Sequence, residues 1–544
     1  MEVYRVWLVL VLCLCMQSIS AQMYKWVDEN GNVHFSDRPP PSENSSASQS
    51  SQSAEVKDTT KEEVRSSQVQ QGERISDSFQ YPPSILLQTR ELLLERKFSL
   101  LNQRLAEYDH ETSVDVTKEE ILITAYRAFD NSDISLSAVL DDWVIATPDD
   151  YQPYLARSIY YQARGWSARG GKWASETEKE QFETMNAYFK KASDDLSVVY
   201  EKNRRSLVSY YSLIRMMKAS SGNNKEVLKV LKSAIKVNPG TYYVRHMAML
   251  SLVPRWGGSY KLMRTVSEEA KQHSDINPRL NHLEGIIYTD AGEVKRADKK
   301  YNEANALFDK ALEFGEEARV LHARSHNNYR KKNYREALRD INRAIELNHE
   351  WGAYYHRRSR ILGNMGNYRQ ALRDIDRALA LEPDNKRYVE SREWVSKKLK
   401  RIGYEQYKQH DPESSIETFT VAIRANPDDA SLYYRRGRSL IEQNKFEAAI
   451  EDIKKAIELN PDDYEYYLLL DWLLAKQRDW DQIISYWDQY IARNPDYSRA
   501  YVERGGAYFH KGDMKTALED AKRAADMGNV EGKEAYDRIK GRVQ

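Results

Sequence analysis

Residues 430–461 read ASLYYRRGRSLIEQNKFEAAIEDIKKAIELNP. The stretch contains two apolar patterns of helical period, each about a dozen residues long, separated by a polar turn. Small side chains at Gly437 in the first pattern and at Ala449 and Ala456 in the second allow two helices to cross closely. Pro461 falls where the second helix must stop, because proline lacks the N–H that a helix interior needs. The stretch predicts a pair of packed antiparallel helices.

The same pattern recurs through the C-terminal half of the chain at steps of 34 residues. The step widens once, to 44 residues, which indicates an insertion of ten residues near 384–395. Small residues occupy the crossing positions at Ala337, Ala371, Ser415, Ala449 and Ala517, and prolines follow at Pro383, Pro427, Pro461 and Pro495. Repetition at this period is typical of a solenoid built from stacked helix pairs.

This pattern resembles the tetratricopeptide repeat (TPR) family, with units that begin near residues 318, 352, 396, 430, 464 and 498 and a looser unit around 285–311. The resemblance implies an all-α, TPR-type α-solenoid, a superhelix of antiparallel helix pairs over residues 278–528, followed by a C-terminal capping helix over 529–544. The unit that begins at Tyr464 departs most from the family pattern. Its tryptophans are interpreted as core residues, with a binding patch as the alternative: Trp472, Trp480 and Trp487.

Residues 81–277 also carry apolar residues at helical spacing. Asn238-Pro239 ends one of these segments, as the later Asn-Pro pairs do. We therefore expect a helical, repeat-like domain ahead of the TPR array. The run Arg255-Trp256-Gly257-Gly258-Ser259 resembles an uncharacterised helical domain that often precedes such repeats in proteobacterial proteins. That resemblance implies no activity.

Residues 1–21 have the pattern of a secretory signal peptide. An apolar stretch follows Arg5 and runs from Val6 to Met16, and the small Ala21 suits cleavage before Gln22. A membrane anchor is the alternative, but it needs about 20 apolar residues and this stretch offers fewer. Both cysteines of the chain lie inside the stretch, so the mature protein is expected to have no thiol for a disulfide, a nucleophile or a metal site.

Residues 22–40 predict a small β-hairpin, because bulky residues alternate on either side of Asn30-Gly31, a favoured tight turn. Tyr24-Lys25-Trp26-Val27-Asp28 and His34-Phe35-Ser36-Asp37 resemble an uncharacterised N-terminal domain of many bacterial envelope proteins. The resemblance implies a Gram-negative periplasmic setting for a chain that is secreted across the inner membrane. Residues 41–80 are rich in Ser, Gln and Glu and predict a disordered linker.

Composition gives no reason to expect charge-driven binding by the chain as a whole. The 544 residues include 82 Lys and Arg and 82 Asp and Glu, so the formal net charge is zero, and the mean hydropathy is −0.76. We therefore predict no nucleic-acid partner, and membrane association only through partners. An aromatic content of 11% is too high for a disordered protein, so most of the chain is expected to fold.

The sequence offers no convincing catalytic pattern, and we predict a non-enzymatic protein without a cofactor. Residues 165–172 have the spacing of a phosphate-binding loop but lack its Gly-Lys-Ser/Thr order and a preceding buried strand. His322, His326 and His356 lie at helical and repeat spacing that would let three imidazoles meet at a zinc ion. Their cationic neighbourhood and the lack of nearby carboxylates disfavour a divalent cation, so we predict no metal site.

Positive charge is concentrated on the first helices of four successive units. Residues 318–332, 352–365, 396–409 and 430–443 contain sixteen Lys and Arg against two Glu. In the TPR family the first helices line the inner, concave wall, so the resemblance implies that many of these charges share one groove. A concave wall of low dielectric focuses such a field. The predicted binding residues are Arg319, His322, His326, Arg357, Arg360, Lys397, Lys400, Arg401, Tyr404, Lys408, Arg435 and Arg438.

Lys397 and Arg401 match, in the third unit, the pair with which some TPR proteins clamp the terminal carboxylate of a peptide. His322, His326 and Arg357 depart from that clamp. Arg and Lys side chains bind carboxylates more generally, and Tyr rings stack on a chain or a sugar. We predict a scaffold for protein–protein interaction with an acidic protein or peptide, in an envelope assembly. Binding of anionic envelope polysaccharide or cell-wall fragments is the alternative. A further interpretation is that the basic face is solvated and is balanced by the acidic second helices and turns, in which case it binds no partner.

Overall fold

The computed structural model describes residues 81–171, 176–218 and 224–543, together with the backbone of residues 24–27 and 33–36. The described residues contain 25 α-helices, the first of which begins at Ile85. This confirms the all-α, TPR-type α-solenoid predicted from the repeat pattern. None of the described helices combines the length and the apolar character needed to span a bilayer.

Two short strands precede the helices. They are β1 (Tyr24–Val27) and β2 (Val33–Ser36), which pair antiparallel with Tyr24 opposite Ser36 and Val27 opposite Val33. The turn between them and their side chains lie outside the described residues, so the predicted β-hairpin module stays a prediction. The predicted signal peptide and the predicted linker also lie outside the described residues.

The chain divides into two compact units. The first unit takes the residues up to Tyr354 together with Ala380–Asp384, and the second takes Tyr355–Leu379 and the residues from Asn385 onward. The boundary predicted at residue 277 lies inside the first compact unit, and it stays a prediction.

Ten helices of the first unit lie in the part that we expected to be helical ahead of the repeats. They are α1 (Ile85–Leu94), α2 (Phe98–Val114), α3 (Glu119–Tyr126), α4 (Leu136–Ala146), α5 (Gln152–Arg169), α6 (Lys179–Lys202), α7 (Leu207–Met217), α8 (Asn224–Val237), α9 (Tyr243–Ser251) and α10 (Tyr260–Lys271). Gly165 lies inside α5, where an added Cβ would come 2.7 Å from the Phe189 ring. A glycine used for helix packing cannot also belong to a phosphate-binding loop, in agreement with the sequence interpretation.

The repeat pairs follow. They are α11 (Gly285–Ala297) with α12 (Tyr301–Leu312), α13 (Ala318–Arg330) with α14 (Tyr334–Leu347), α15 (Gly352–Asn364) with α16 (Tyr368–Leu381), α17 (Lys386–Lys408) with α18 (Pro412–Ala425), α19 (Ala430–Glu442) with α20 (Phe446–Leu459), α21 (Tyr464–Gln477) with α22 (Trp480–Arg493), and α23 (Ser498–Lys511) with α24 (Met514–Asp526); α25 (Val530–Val543) comes last. Ile539 of α25 is buried against Ala517 and Ala521 of α24.

Small residues let the two helices of a repeat approach each other. An added Cβ at Gly437 would lie 2.8 Å from Cδ1 of Ile453, and Ala449 and Ala456 are fully buried. The hydroxyl of Ser415 takes the same crossing position in α18 and donates to the carbonyl of Gly403 at 2.9 Å. The small residues at the predicted crossing positions therefore allow the two helices to pack closely, as the repeat pattern predicts.

The ten-residue insertion is helical. α17 spans 23 residues, whereas α15 and α19 span 13 each. The insertion therefore lengthens a first helix at its N terminus instead of forming a loop between repeats. Asn385 caps this longer helix by accepting a hydrogen bond from the Arg387 amide.

Two buried carboxylates tie together distant parts of the first unit. Glu350 accepts hydrogen bonds from the Ser84 hydroxyl at 2.6 Å and from the Ile85 amide at 2.7 Å, so it caps the N terminus of α1 from 265 residues away. Glu119 likewise accepts from the Thr241 hydroxyl at 2.6 Å and from the Tyr242 amide at 2.8 Å, at the start of α9. These contacts hold the unit together across long loops of chain.

Candidate functional site

The candidate site lies in the second unit, on the first helices α17 and α19. Tyr404 of α17 lies between two cations: the Arg435 guanidinium carbon is 4.5 Å from the ring centroid and the Lys408 ammonium nitrogen is 4.4 Å from it. Both distances are within the range of a cation–π interaction. The aromatic ring therefore positions two positive charges from neighbouring repeats without neutralising them.

A third cation contacts a tyrosine ring in the same way one turn along the helices. Arg438 donates a hydrogen bond from Nη2 to the hydroxyl of Tyr407 at 3.1 Å, and its guanidinium carbon lies 5.2 Å from that ring. The Tyr434 ring lies 5.9 Å from the same carbon and 4.9 Å from the Tyr466 ring. Tyrosines from three successive first helices thus form a series alongside the arginines.

Two further cations lie close to the ring of Trp394, on the lengthened part of α17. The guanidinium carbon of Arg360 lies 5.7 Å from the Trp394 ring and the Lys398 ammonium lies 5.8 Å from it. Gly363 makes room for this ring, since an added Cβ there would come 2.6 Å from the indole. The indole belongs to the inserted residues, and it contacts one cation of α17 and one cation of α15.

Lys397 and Arg401 are exposed on α17. Lys397 has a single loose pair with Glu393, 3.8 Å away on an exposed turn of the same helix, and such pairs are worth little. Arg401 has no ion pair in the part of the chain that the structure describes. These two side chains keep most of their charge available to a partner.

Lys400 lies next to them but is engaged within the protein. Its ammonium nitrogen is 2.9 Å from Oδ2 of Asp429, and Asp429 also accepts from the Ser431 hydroxyl at 2.6 Å and caps α19. Although burial raises the pKa of Asp429, the hydrogen bonds from Ser431 and Lys400 bring it below the usual range of an aspartate. Lys400 therefore helps to hold the start of α19.

His356 lies near the cations of the second unit, but its direct contacts are with uncharged groups. Its Nε2 is 2.8 Å from the Ser391 hydroxyl and its ring centroid is 4.8 Å from that of Tyr388. Burial and the charges of Arg357, Arg360 and Arg387 together lower the pKa of His356 to about 4. The imidazole is thus uncharged at neutral pH.

The other predicted site residues, Arg319, His322 and His326, lie on α13 in the first unit. Arg319 is exposed, and the His322 ring packs 5.2 Å from the Tyr354 ring. The three histidines considered for zinc are thus divided between the two units. Within the described ranges, no group of three or more His, Cys, Asp or Glu is placed to hold a metal ion.

Sequence reasoning missed that several of the sixteen basic residues are already neutralised. Arg324, Arg358 and Arg436 each hold an aspartate of the following helix through two parallel hydrogen bonds of 2.7–3.0 Å. The partners are Asp340, Asp374 and Asp452, always 16 residues later. That constant spacing is the signal that could have revealed the pairs.

The aromatic residues of the unit that begins at Tyr464 divide between core and surface. Trp487 is 1% exposed and donates from its indole nitrogen to Oδ2 of Asp471 at 2.6 Å, so it belongs to the core. Trp480 is half-buried and stacks on His510 with centroids 5.0 Å apart. Trp472 is 45% exposed and lies under the Lys476 ammonium at 4.5 Å. Trp487 is therefore a core residue, as predicted, whereas Trp472 is a surface residue.

Models of known families match several parts of the chain. Models described as tetratricopeptide repeats match residues 352–385, 430–463 and 472–530. Two models described as domains of unknown function, DUF4124 and DUF4034, match residues 10–67 and 85–221. The predicted N-terminal and pre-repeat domains are thus confirmed as uncharacterised families, although the second match ends before the Arg255–Ser259 run. No curated protein matches the chain.

Solved structures with similar folds are TPR proteins. The TPR2AB domain of yeast Sti1, solved in complex with a pHSP90, is 18% identical over 47% of this chain and 98% of its own, with a TM-score of 0.22. YrrB, titled a TPR protein with an unusual peptide-binding site, is 22% identical over 36% and 97%, with a TM-score of 0.23. MamA from Desulfovibrio magneticus is 21% identical over 34% and 98%, with a TM-score of 0.19.

The repeat matches and the helix pairs agree in position and support a role as a scaffold for protein–protein interaction. The chain is a tetratricopeptide-repeat protein that carries a DUF4034 segment ahead of its repeats and a DUF4124 segment near its N terminus.

Proposed function

We propose that the protein is a non-catalytic scaffold that binds an acidic segment of a partner protein through the second unit. The contact is made by a basic surface, which consists of Arg360, Lys397, Arg401, Tyr404, Lys408, Arg435 and Arg438. The observation that carries the proposal is the difference between two sets of arginines. Arg358 and Arg436 are neutralised by buried aspartates, whereas Arg435 and Arg438 are held by tyrosine rings.

Cations that are positioned by contacts with aromatic rings are suited to bind carboxylates. Their side chains are already positioned, so binding loses less conformational entropy than it would with mobile side chains. Arg435 and Arg438 have no carboxylate partner in the part of the chain that the structure describes, and guanidinium groups form two hydrogen bonds with a carboxylate. The exposed Lys397 and Arg401 extend the same surface along α17.

We also propose that the protein acts outside the cytoplasm, in an assembly of the bacterial envelope. The apolar stretch after Arg5 and the small residue at Ala21 support export, and the absence of thiols after the predicted cleavage point suits an oxidising compartment. The DUF4124 match over residues 10–67 is in keeping with the N-terminal resemblance to envelope proteins. Localisation of the tagged protein by cell fractionation would test this proposal.

A binding measurement tests the basic surface directly. The full chain is titrated against a fluorescent decapeptide of glutamate, a neutral Gly/Ser decapeptide and polygalacturonate, at low and at physiological salt. We expect the glutamate peptide to bind and the neutral peptide not to bind. The double charge reversal Lys397→Glu with Arg401→Glu should weaken binding about tenfold or more.

The matched control is Lys515→Glu with Lys522→Glu, which changes the net charge equally at exposed positions of α24 in the same unit. Equal losses in the two double variants would reject the basic surface and leave only a general charge effect. If polygalacturonate bound more tightly than the peptide and lost affinity steeply with salt, binding of an anionic polysaccharide would replace the proposal.

A further inference from the structure

The first unit contains a cavity of about 170 Å³ between α3, α5, α7 and α9. One side of it is apolar and is formed by Ile123, Ile159, Val208 and Met247. A cavity of about 150 Å³ is large enough to hold a benzene ring. The cavity therefore has room for a ring-sized apolar group. No predicted binding residue lines it, and it lies within the first unit only.

The other side of the cavity is cationic. The guanidinium of Arg127 lies flat on the Trp351 ring, with its carbon 3.6 Å from the centroid, and both residues line the cavity. Arg127 has no carboxylate partner in the parts of the chain that the structure describes, and its Nη1 donates a long hydrogen bond to the Glu350 carbonyl oxygen at 3.5 Å. Arg215 also lines the cavity and is paired with Asp130 at 2.7 Å.

Lys218 does not line the cavity but lies close enough to Arg215 for the two charges to interact. Lys218 follows α7 at its C terminus and lies 5.3 Å from the Trp256 ring. Burial and the charges of Arg319, Arg255 and Arg215 together lower the pKa of Lys218 to about 8, against the opposing charge of Asp290. Such crowding of positive charge is costly and is relieved when an anion binds.

Arg319 of α13 does not line the cavity but contributes positive charge near Tyr211, which does. Burial raises the pKa of Tyr211, which lines the cavity, and the positive charges of Arg215, Arg127 and Arg319 oppose that rise. The exposed Arg319 has no ion pair among the residues that the structure describes. Its charge therefore acts on the cavity.

We propose that this cavity binds a small organic anion, with a ring-sized apolar body against Ile123, Ile159, Val208 and Met247 and a carboxylate or phosphate head facing Arg127 and Arg215. Positive charge exceeds negative charge near the head, since Arg127 and Arg215 line the cavity with Asp130, and Lys218 and Arg319 lie nearby against Asp290. A phosphate monoester, with two negative charges, therefore binds more tightly than a carboxylate. This site is separate from the basic surface of the second unit and does not depend on it.

Calorimetric titration of the full chain tests the proposal with three probes of similar size: phenyl phosphate, benzoate and benzyl alcohol. We expect dissociation constants below about 1 mM for phenyl phosphate, weaker binding of benzoate and none of benzyl alcohol. At pH 8 the binding of either anion should be accompanied by uptake of up to about half a proton, because the anion raises the pKa of Lys218. Lys218→Met should abolish that uptake.

Variants distinguish a specific site from general attraction. Arg319→Gln, at an exposed position, should weaken phenyl phosphate binding about fivefold or more, whereas Arg330→Gln, exposed on the same helix α13, should leave it unchanged. Met247→Phe should fill the cavity and abolish binding with the helical circular dichroism retained. Absence of binding at millimolar phenyl phosphate, equal binding of benzyl alcohol, or equal behaviour of the two arginine variants would overturn the proposal.

Discussion

Arg504 of α23 holds Asp520 of α24 through two parallel hydrogen bonds, from Nε to Oδ2 at 2.8 Å and from Nη2 to Oδ1 at 2.6 Å. The aspartate side chain is 6% exposed and the arginine 19%. The same arrangement joins three earlier pairs of helices at the same spacing of 16 residues. A repeated ion pair of this kind fixes how the second helix of a repeat is rotated against the first.

Asp520→Ala should lower the stability of the second unit by about 2–3 kcal/mol, because it leaves a largely buried guanidinium without its partner. The double variant Arg504→Met with Asp520→Leu should lose much less, since it removes both charges. The urea midpoint of helical circular dichroism measures both effects. Asp481→Ala breaks an exposed pair with Lys511 and serves as the control, with little change expected. Equal losses for the single and double variants would contradict the role given to the pair.

Gly258→Ala should be severely destabilising, by more than about 2 kcal/mol. An added Cβ at this position would lie 1.9 Å from the carbonyl oxygen of Leu252, and a backbone atom cannot move aside as a side chain can. Gly506→Ala is the matched control, because the space around Gly506 of α23 is open to 4 Å and alanine favours a helix interior.

Thermal unfolding followed by circular dichroism distinguishes the two glycine variants, with the melting temperature falling for the first and rising slightly for the second. A melting temperature of Gly258→Ala equal to that of the wild type would show that the loop after α9 relaxes at no cost.

Asp471→Asn should stabilise the protein at neutral pH and above. Burial raises the pKa of Asp471 to about 6, although the hydrogen bond from Trp487 lowers it, so the folded state binds this proton more tightly than the unfolded chain does. Stability from this group is therefore present below about pH 4 and is lost as pH rises towards 6. An asparagine keeps an acceptor for the indole and has no charge to bury.

The gain in melting temperature for Asp471→Asn should be larger at pH 7.5 than at pH 4.5, with a difference in free energy of about 1–2 kcal/mol. Asp496→Asn, at an exposed position of the same repeat, should show no such dependence on pH. A gain that stays constant across this range would mean that Asp471 is charged in the folded protein throughout.

Tyr404→Leu should weaken binding of the glutamate decapeptide about three- to tenfold, because it removes the ring that positions Arg435 and Lys408. Tyr404→Phe should bind like the wild type, since the ring and not the hydroxyl makes these contacts. Fluorescence anisotropy at low salt gives both affinities. If both variants weakened binding equally, the hydroxyl would be the important group and the cation–π arrangement would not explain recognition.

The fold could be predicted because each repeat signals it locally. Gly437, Ala449 and Pro461 each restrict one position of a helix pair, and the same restrictions recur 34 residues apart. The conformation of the ten-residue insertion could not be predicted in this way, because both a loop and a longer α17 preserve the period on either side of it.

The candidate site was predictable only in part. First-helix positions identified Tyr404 and Arg435, which do come together, but the sequence does not show that Lys400 pairs with Asp429 or that Arg436 pairs with Asp452. The cavity of the first unit could not be predicted from the sequence for a different reason. It brings Arg127 against Trp351, 224 residues later, and no local pattern signals a contact at that separation.

The cap that Glu350 places on α1 has a consequence for how the protein is made. A ribosome releases the chain from its N terminus, so α1 emerges long before the carboxylate that satisfies its first amides. Until Glu350 has emerged, the Ser84 hydroxyl and the Ile85 amide lack the carboxylate that binds them in the folded unit. This tie can therefore form only after more than half of the polypeptide is available, whether the chain folds at the ribosome or after export.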